Sequence, residues 1–110
     1  MANSNSDTAS RTFSVEGIDQ RLLFGQADSF LRIIESRFDA HIVARGDRVM
    51  IEGNSRAVEQ VVQLLNDLVT RLRQGDYITD QYLNYAISMV MENGQGPAES
   101  ISTEALLTSA

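Results

Sequence analysis

Apolar residues along this chain keep two different periods, and the points where the period changes mark out its elements. Over residues 11–16 polar side chains alternate with Phe13 and Val15 and the run closes at Gly17, which predicts a short half-buried strand. Asp19 offers a cap to one or two helical turns over 20–24, stopped by Gly25. A second helix is predicted from 28 to 38, with Phe30, Leu31, Ile34 and Phe38 on its apolar side and Arg32, Glu35 and Arg37 outward. Alternation returns at 41–45, with Ile42 and Ala44 on one face. Gly46-Asp47 then turns the chain, and 48–52 carries Val49 and Ile51 inward, so the two runs read as a two-residue hairpin. Gly53 ends the second run.

Asn54-Ser55 caps a long helix from 56 to about 73, whose Val58, Val61, Val62, Leu65, Leu68, Val69 and Leu72 trace one face over about 27 Å at 1.5 Å per residue. The spacing of 58, 61, 65, 68 and 72 is also that of a coiled-coil seam, but it lasts barely two heptads, and a helix packed on a sheet needs the same stripe. Gln74-Gly75-Asp76 stops this helix. Thr79 caps another over 80–92, with Tyr82, Leu83, Ala86, Ile87 and Val90 on one side and Tyr85 and Met89 on another. One small core hides a single side of such a helix, so the second side is expected to meet a partner. Residues 1–10 lack periodicity and read as a disordered tail. Residues 94–110, opened by Gly94, Gly96 and Pro97, read as a linker holding one β-capable piece at 101–103 and cut from a longer chain.

The stretch Leu22-Leu23-Phe24-Gly25-Gln26-Ala27-Asp28 is the organising junction. Three large apolar residues run into a glycine that can take a positive φ, and Asp28 can cap the N–H groups of the next helix. A helix N-terminus exposed in this way can hold a phosphate, and it is also an ordinary way to join two helices.

Composition narrows the chemistry. The chain has 110 residues, 43% of them apolar and 22% charged, enough for one globular core. No apolar run is long enough for a membrane span, and the first seven residues lack the basic start and apolar stretch of a signal peptide, so a cytoplasmic protein with no membrane partner is expected. Zero cysteines exclude disulfides and thiol chemistry, and the single histidine, His41, reads as a surface residue. All nine basic residues are arginine; without lysine there is no Walker A site and no Schiff base. A net charge of −6 argues against a general polyanion binder. Residues 11–56 nonetheless balance seven arginines against seven acids, whereas the rest is acidic, so any anion site belongs to the first half. Arg45-Gly46-Asp47 resembles an integrin-binding tripeptide, but its place between two strands makes it a turn.

The order strand, short helix, glycine turn, helix, strand, strand, long helix resembles that of a type I KH domain, with Gly25–Asp28 where such domains carry their Gly-x-x-Gly loop. Leu23-Phe24-Gly25 followed by Asp28, then Ile42-Val43-Ala44-Arg45-Gly46, Ile51-Glu52-Gly53, Ile78-Thr79 and Tyr85-Ala86-Ile87 are similar to the N-terminal region of PhoH-like proteins. The resemblance covers residues 11–110. It implies an α+β fold, KH type I-like, with a three-stranded sheet, helices packed on one face over 11–73 and an additional C-terminal helix over 74–93. It also implies a parent protein associated with RNA metabolism and phosphate starvation, whose P-loop ATPase domain, with its ATP and Mg²⁺, lies beyond Ala110. Asp28 departs from the KH pattern by setting a carboxylate where the second glycine and a phosphate oxygen would be.

The reading is a non-catalytic module, with no cofactor of its own, that binds single-stranded RNA weakly. Its candidate contacts are Arg21, Leu23, Phe24, Gly25, Gln26, Ala27, Asp28, Arg32, Val43, Arg45 and Arg48, the four arginines forming one cluster around Gly25. The alternative is an interaction domain without RNA binding, whose helix docks through Tyr82, Tyr85 and Met89 on its own ATPase domain or on another copy in a homo-oligomer. No nucleophile and base pair or metal-ligand cluster stands out by spacing, so no enzyme activity is expected of this chain.

Overall fold

The computed structural model describes residues 7–93, and its elements follow the predicted order: β1 (Thr8–Ser14), α1 (Gln20–Phe24), a 3₁₀ turn (Gln26–Asp28), α2 (Ser29–Arg37), β2 (Ala40–Arg45), β3 (Arg48–Asn54), α3 (Ser55–Arg73) and α4 (Asp80–Asn93). The expected linker and the β-capable piece at 101–103 lie outside the described residues. The strands form one antiparallel sheet in the order β1-β3-β2, so the strand last in sequence is central. The fold is α+β, with helices packed on one side of a three-stranded sheet.

Register shows why only one side is covered. Ile42 pairs with Ile51, Ala44 with Val49, and Phe13 with Val49 across the other ladder, so these positions share a face. Val49 and Ile51 are fully buried and Ile42 nearly so. The opposite face carries Thr12, Met50 and Val43 in one row and Ser14, Arg48 and Arg45 in the next. α3 lies against β1 and β3, with Val58, Val61, Leu64, Leu65 and Leu68 at 0% exposure. Each such side chain contributes roughly 1.5–3 kcal/mol by leaving water. Leu64 and Ala57 widen the buried stripe beyond the predicted line because α3 is covered on a second side by α4, whose Leu83, Ala86, Ile87 and Val90 join the same core. The stripe is therefore core packing and not a coiled-coil seam. Among the described residues no helix is long and apolar enough to cross a membrane.

Several boundaries differ from the sequence reading, each for a backbone reason. β1 begins at Thr8, inside the expected tail, because Thr8, Ala9 and Ser10 pair with Asn54, Gly53 and Glu52, and ladder hydrogen bonds need no apolar alternation. Gly53 does not end its strand but sits within β3, where a Cβ would lie 2.4 Å from the Asp39 carbonyl oxygen and 2.7 Å from Ala40 Cα. Glu35 is only partly turned to solvent: its Oε2 accepts the Ile42 N–H at 2.8 Å, on the free edge of β2, and stands 3.0 Å from Nδ1 of the exposed His41. That carboxylate blunts an edge another strand could otherwise join. Ala44 shares the parity of Ile42 yet is exposed, since the helices leave an opening above it.

α3 and α4 are tied by polar groups that periodicity does not reveal. Asp67 is 0% exposed on α3, and the Tyr82 hydroxyl donates to its Oδ2 at 2.6 Å. Arg71 lies 4.0 Å over the Tyr82 ring and its Nε–H donates to the Tyr77 carbonyl at 2.8 Å, fixing the connection between the helices. Asn54 caps α3 through the Arg56 and Ala57 N–H groups, and the Thr79 hydroxyl accepts from the Tyr82 N–H at the start of α4.

Two stability outcomes are expected. Gly53→Ala should cost roughly 3 kcal/mol or more, since backbone must shift to admit a methyl, whereas Gly46→Ala, with open space around it, should cost only the roughly 1–2 kcal/mol of a left-handed alanine. Urea unfolding of both variants checks this, and equal losses would contradict it. Tyr82→Phe should cost roughly 1–3 kcal/mol by leaving a buried carboxyl group short of a donor, and a loss under about 0.5 kcal/mol in the same assay would show that the hydroxyl does not tie the helices.

Candidate nucleic-acid interface

The candidate site grows from the junction of α1 and α2. Asp19 Oδ1 accepts the Arg21 N–H at 3.0 Å and starts α1, which is short enough that Leu23 and Phe24 point into the core while Arg21 and Leu22 stay on the surface. Gly25 ends it at φ 81°, ψ 170°, a conformation open almost only to glycine. A Cβ there would meet Ser29 Oγ at 2.6 Å and the Phe30 ring at 2.8 Å, so the turn is pressed onto the first residues of α2. Ala27 (φ 55°) and Asp28 (φ 60°) then adopt left-handed conformations, and the Asp28 N–H closes the turn on the Gly25 carbonyl at 3.1 Å. Asp28 itself does not serve as the expected side-chain cap, because its left-handed backbone points the carboxylate away from the α2 N–H groups and into solvent.

This turn stands against the end of the hairpin. The Gln20 side-chain amide donates to the Gly46 carbonyl at 2.6 Å, and the Val15 N–H donates to the Asp47 carbonyl at 2.8 Å. Between them runs a groove of about 320 Å³ lined by Gln20, Arg21, Phe24, Gly25, Ala27, Asp28 and Ala44. A second hollow of about 400 Å³, on the other flank of the turn, includes Leu22 and Gln26. Arg21 is the cation of both, with its side chain 93% exposed and held only loosely by Asp19 at 3.9 Å. Asp19 and Asp28 oppose it, so the site is polar and mixed in charge rather than strongly positive.

The expected contacts divide into three groups. Arg21, Gln26, Ala27 and Asp28 are exposed around the turn, and Arg32 is exposed on α2 with no ion pair among the described residues. Leu23, at 0% exposure, and Phe24, at 4%, belong to the core, because a five-residue helix must bury its apolar end to stay attached; Leu23 presents no surface, and Phe24 only underlies the groove. Val43, Arg45 and Arg48 lie on the sheet face away from the helices, since they alternate with Ile42, Ala44 and Val49. The single cluster of four arginines is therefore two pairs on opposite sides of the sheet. Ala44 lines the groove from the β2 wall, where its parity with Ile42 puts it on the helix side of the sheet. Gln20 also lines it, and nothing in the sequence marks that residue.

The second candidate surface, on α4, is also divided. Tyr82 is half-buried and committed to Asp67, Met89 is half-buried, and Tyr85 alone of the three is well exposed, at 56%. Tyr82 and Tyr85, with Thr79 and Gln81, line a hollow of about 400 Å³.

No family model matches the chain, and no solved structure matches it significantly. The chain spans little more than a quarter of the length of a curated relative that it matches. Over 88 residues, 80% of this chain and 28% of the relative, it is 31% identical to a PhoH-like protein of Bacillus subtilis (strain 168), so most of the chain is similar in sequence to part of a PhoH-like protein.

Proposed function

We propose that this chain is a non-catalytic, KH-like module of a PhoH-like protein and that it binds single-stranded RNA in the groove between the Gly25–Asp28 turn and β2. The observation that carries the reading is the groove itself: a glycine-led turn between two helices, pinned to a hairpin by the Gln20–Gly46 hydrogen bond, with an exposed arginine on its rim. KH domains clamp about four nucleotides of backbone with a loop so placed. The sheet order β1-β3-β2 with helices on one face suits that architecture, and the similarity to a PhoH-like protein supports a role in RNA metabolism. ATP and Mg²⁺ belong, in this reading, to another part of the parent protein, because a chain without lysine cannot supply a Walker A site. The exposure of Tyr85 beside its hollow favours a second reading, in which α4 docks on that other part or on another copy.

Binding should be weak. Arg21 stands on the groove rim and Arg32 is exposed on α2 beyond the junction; with one phosphate contact to each, the slope of log affinity against log salt is about −1.4 on a single strand. Asp28→Gly should strengthen binding about fivefold, from roughly 1 kcal/mol of repulsion removed at close range in water. Fluorescence anisotropy with labelled tetrauridylate at low salt measures both. Absence of binding at about 100 μM protein, with no gain from Asp28→Gly, would make the turn purely structural and favour the docking reading.

A further inference from the structure

Arg45 and Arg48 face each other directly across the β2–β3 ladder, on the sheet face that no helix covers among the described residues. Like charges at opposed positions destabilise a hairpin, and here nothing relieves them: neither arginine has an ion pair among the described residues. Asp47 in the turn is the acid closest to them in sequence, Glu16 follows the end of β1, and neither forms an ion pair with them among the described residues. Glu52, the acid on the same face, is four residues along β3, roughly 13 Å away. Ser14 pairs with Arg48 from β1 and completes the row, its Oγ accepting the Glu16 N–H at 3.3 Å and leaving its own proton to donate. A row of two guanidinium groups without an ion pair among the described residues, beside a hydroxyl whose proton is left to donate, is a set of donors suited to an anion.

We propose that the row Ser14, Arg48, Arg45 is a second phosphate-contact site, which takes the backbone of single-stranded RNA after it leaves the groove and rounds the hairpin tip. The inference rests on the groove reading and extends it to the opposite face. Gln20, bonded to Gly46 at that tip, lies at the end of the groove where the strand would cross. A strand that only fills the groove does not reach the row, whereas a longer one engages both pairs of arginines. RNA length is therefore the variable that separates the sites.

The test compares 5′-hydroxyl tetrauridylate and decauridylate on the wild-type chain, on Arg21→Ala and on the double variant Arg45→Ala/Arg48→Ala. For the decamer the salt slope should fall from about −2.8 to about −1.4 in the double variant, from roughly 0.7 per phosphate, with affinity lowered several-fold at low salt. Tetramer affinity should not change. Arg21→Ala should weaken both lengths. The double variant should melt at the wild-type temperature or higher, because it removes a repulsion, and this shows that lost binding is not lost folding. Equal losses on both lengths would place these arginines in the groove and overturn the proposal, as would an unchanged slope on the decamer. Ten-residue polyglutamate competing as well as the decamer would also overturn it, by making the row a site for acidic protein. If the wild-type chain binds neither RNA, the groove reading fails and this one with it; if it binds both and only the decamer slope is insensitive to the double variant, this one fails alone.

Discussion

The structure depends on covering one face of a single central strand. β3 has two hydrogen-bonded neighbours and an apolar side made of Val49 and Ile51, both fully buried, and α3 lies across it and β1 together. A sheet this small is stabilised by covering its apolar face, and Val58, Val61, Leu65 and Leu68 of α3 are buried on that side. α4 then seals the outer flank of α3, and the Tyr82–Asp67 hydrogen bond orients it.

Function, in the reading proposed, uses what this arrangement leaves over. α3 takes the middle of the sheet, so α1 and α2 sit beside the β2 edge. The opening between their junction and Ala44 is the groove. The farther face is left bare by the described helices, and the strand period sends Arg45 and Arg48 onto it. Two-residue alternation, which keeps Val49 and Ile51 in the core, is the same rule that carries these arginines away from Arg21.

The junction shows how local geometry and charge pull apart. Gly25 has no room for a Cβ, and Ala27 and Asp28 follow it into left-handed conformations that most residues avoid. Aspartate tolerates that conformation better than most, which accounts for it as a turn residue. Its carboxylate then stands at the rim of the groove beside an exposed arginine. The same residue that suits the backbone lowers the site's attraction for a phosphate.

Much of the architecture was legible in the chain itself. The change from a period of two to one near 3.6 located the three strands and the longer helices to within a few residues, Asp19, Asn54 and Thr79 marked helix starts that the side chains do cap, and Gly25 marked the turn. These are local properties, set by propensity and by which side of an element must leave water. Three features were decided only by packing. Thr8–Ser10 joined β1 because a partner strand ran alongside; Leu64 and Asp67 were buried because α4 lay against α3; Leu23 went into the core although its neighbour Leu22 did not. The grouping of the arginines was likewise beyond a reading by sequence distance, since two residues close to a loop in the chain can stand on opposite sides of a sheet. Charge and periodicity determine which residues can serve a site, but the pairing register decides which of them share one face.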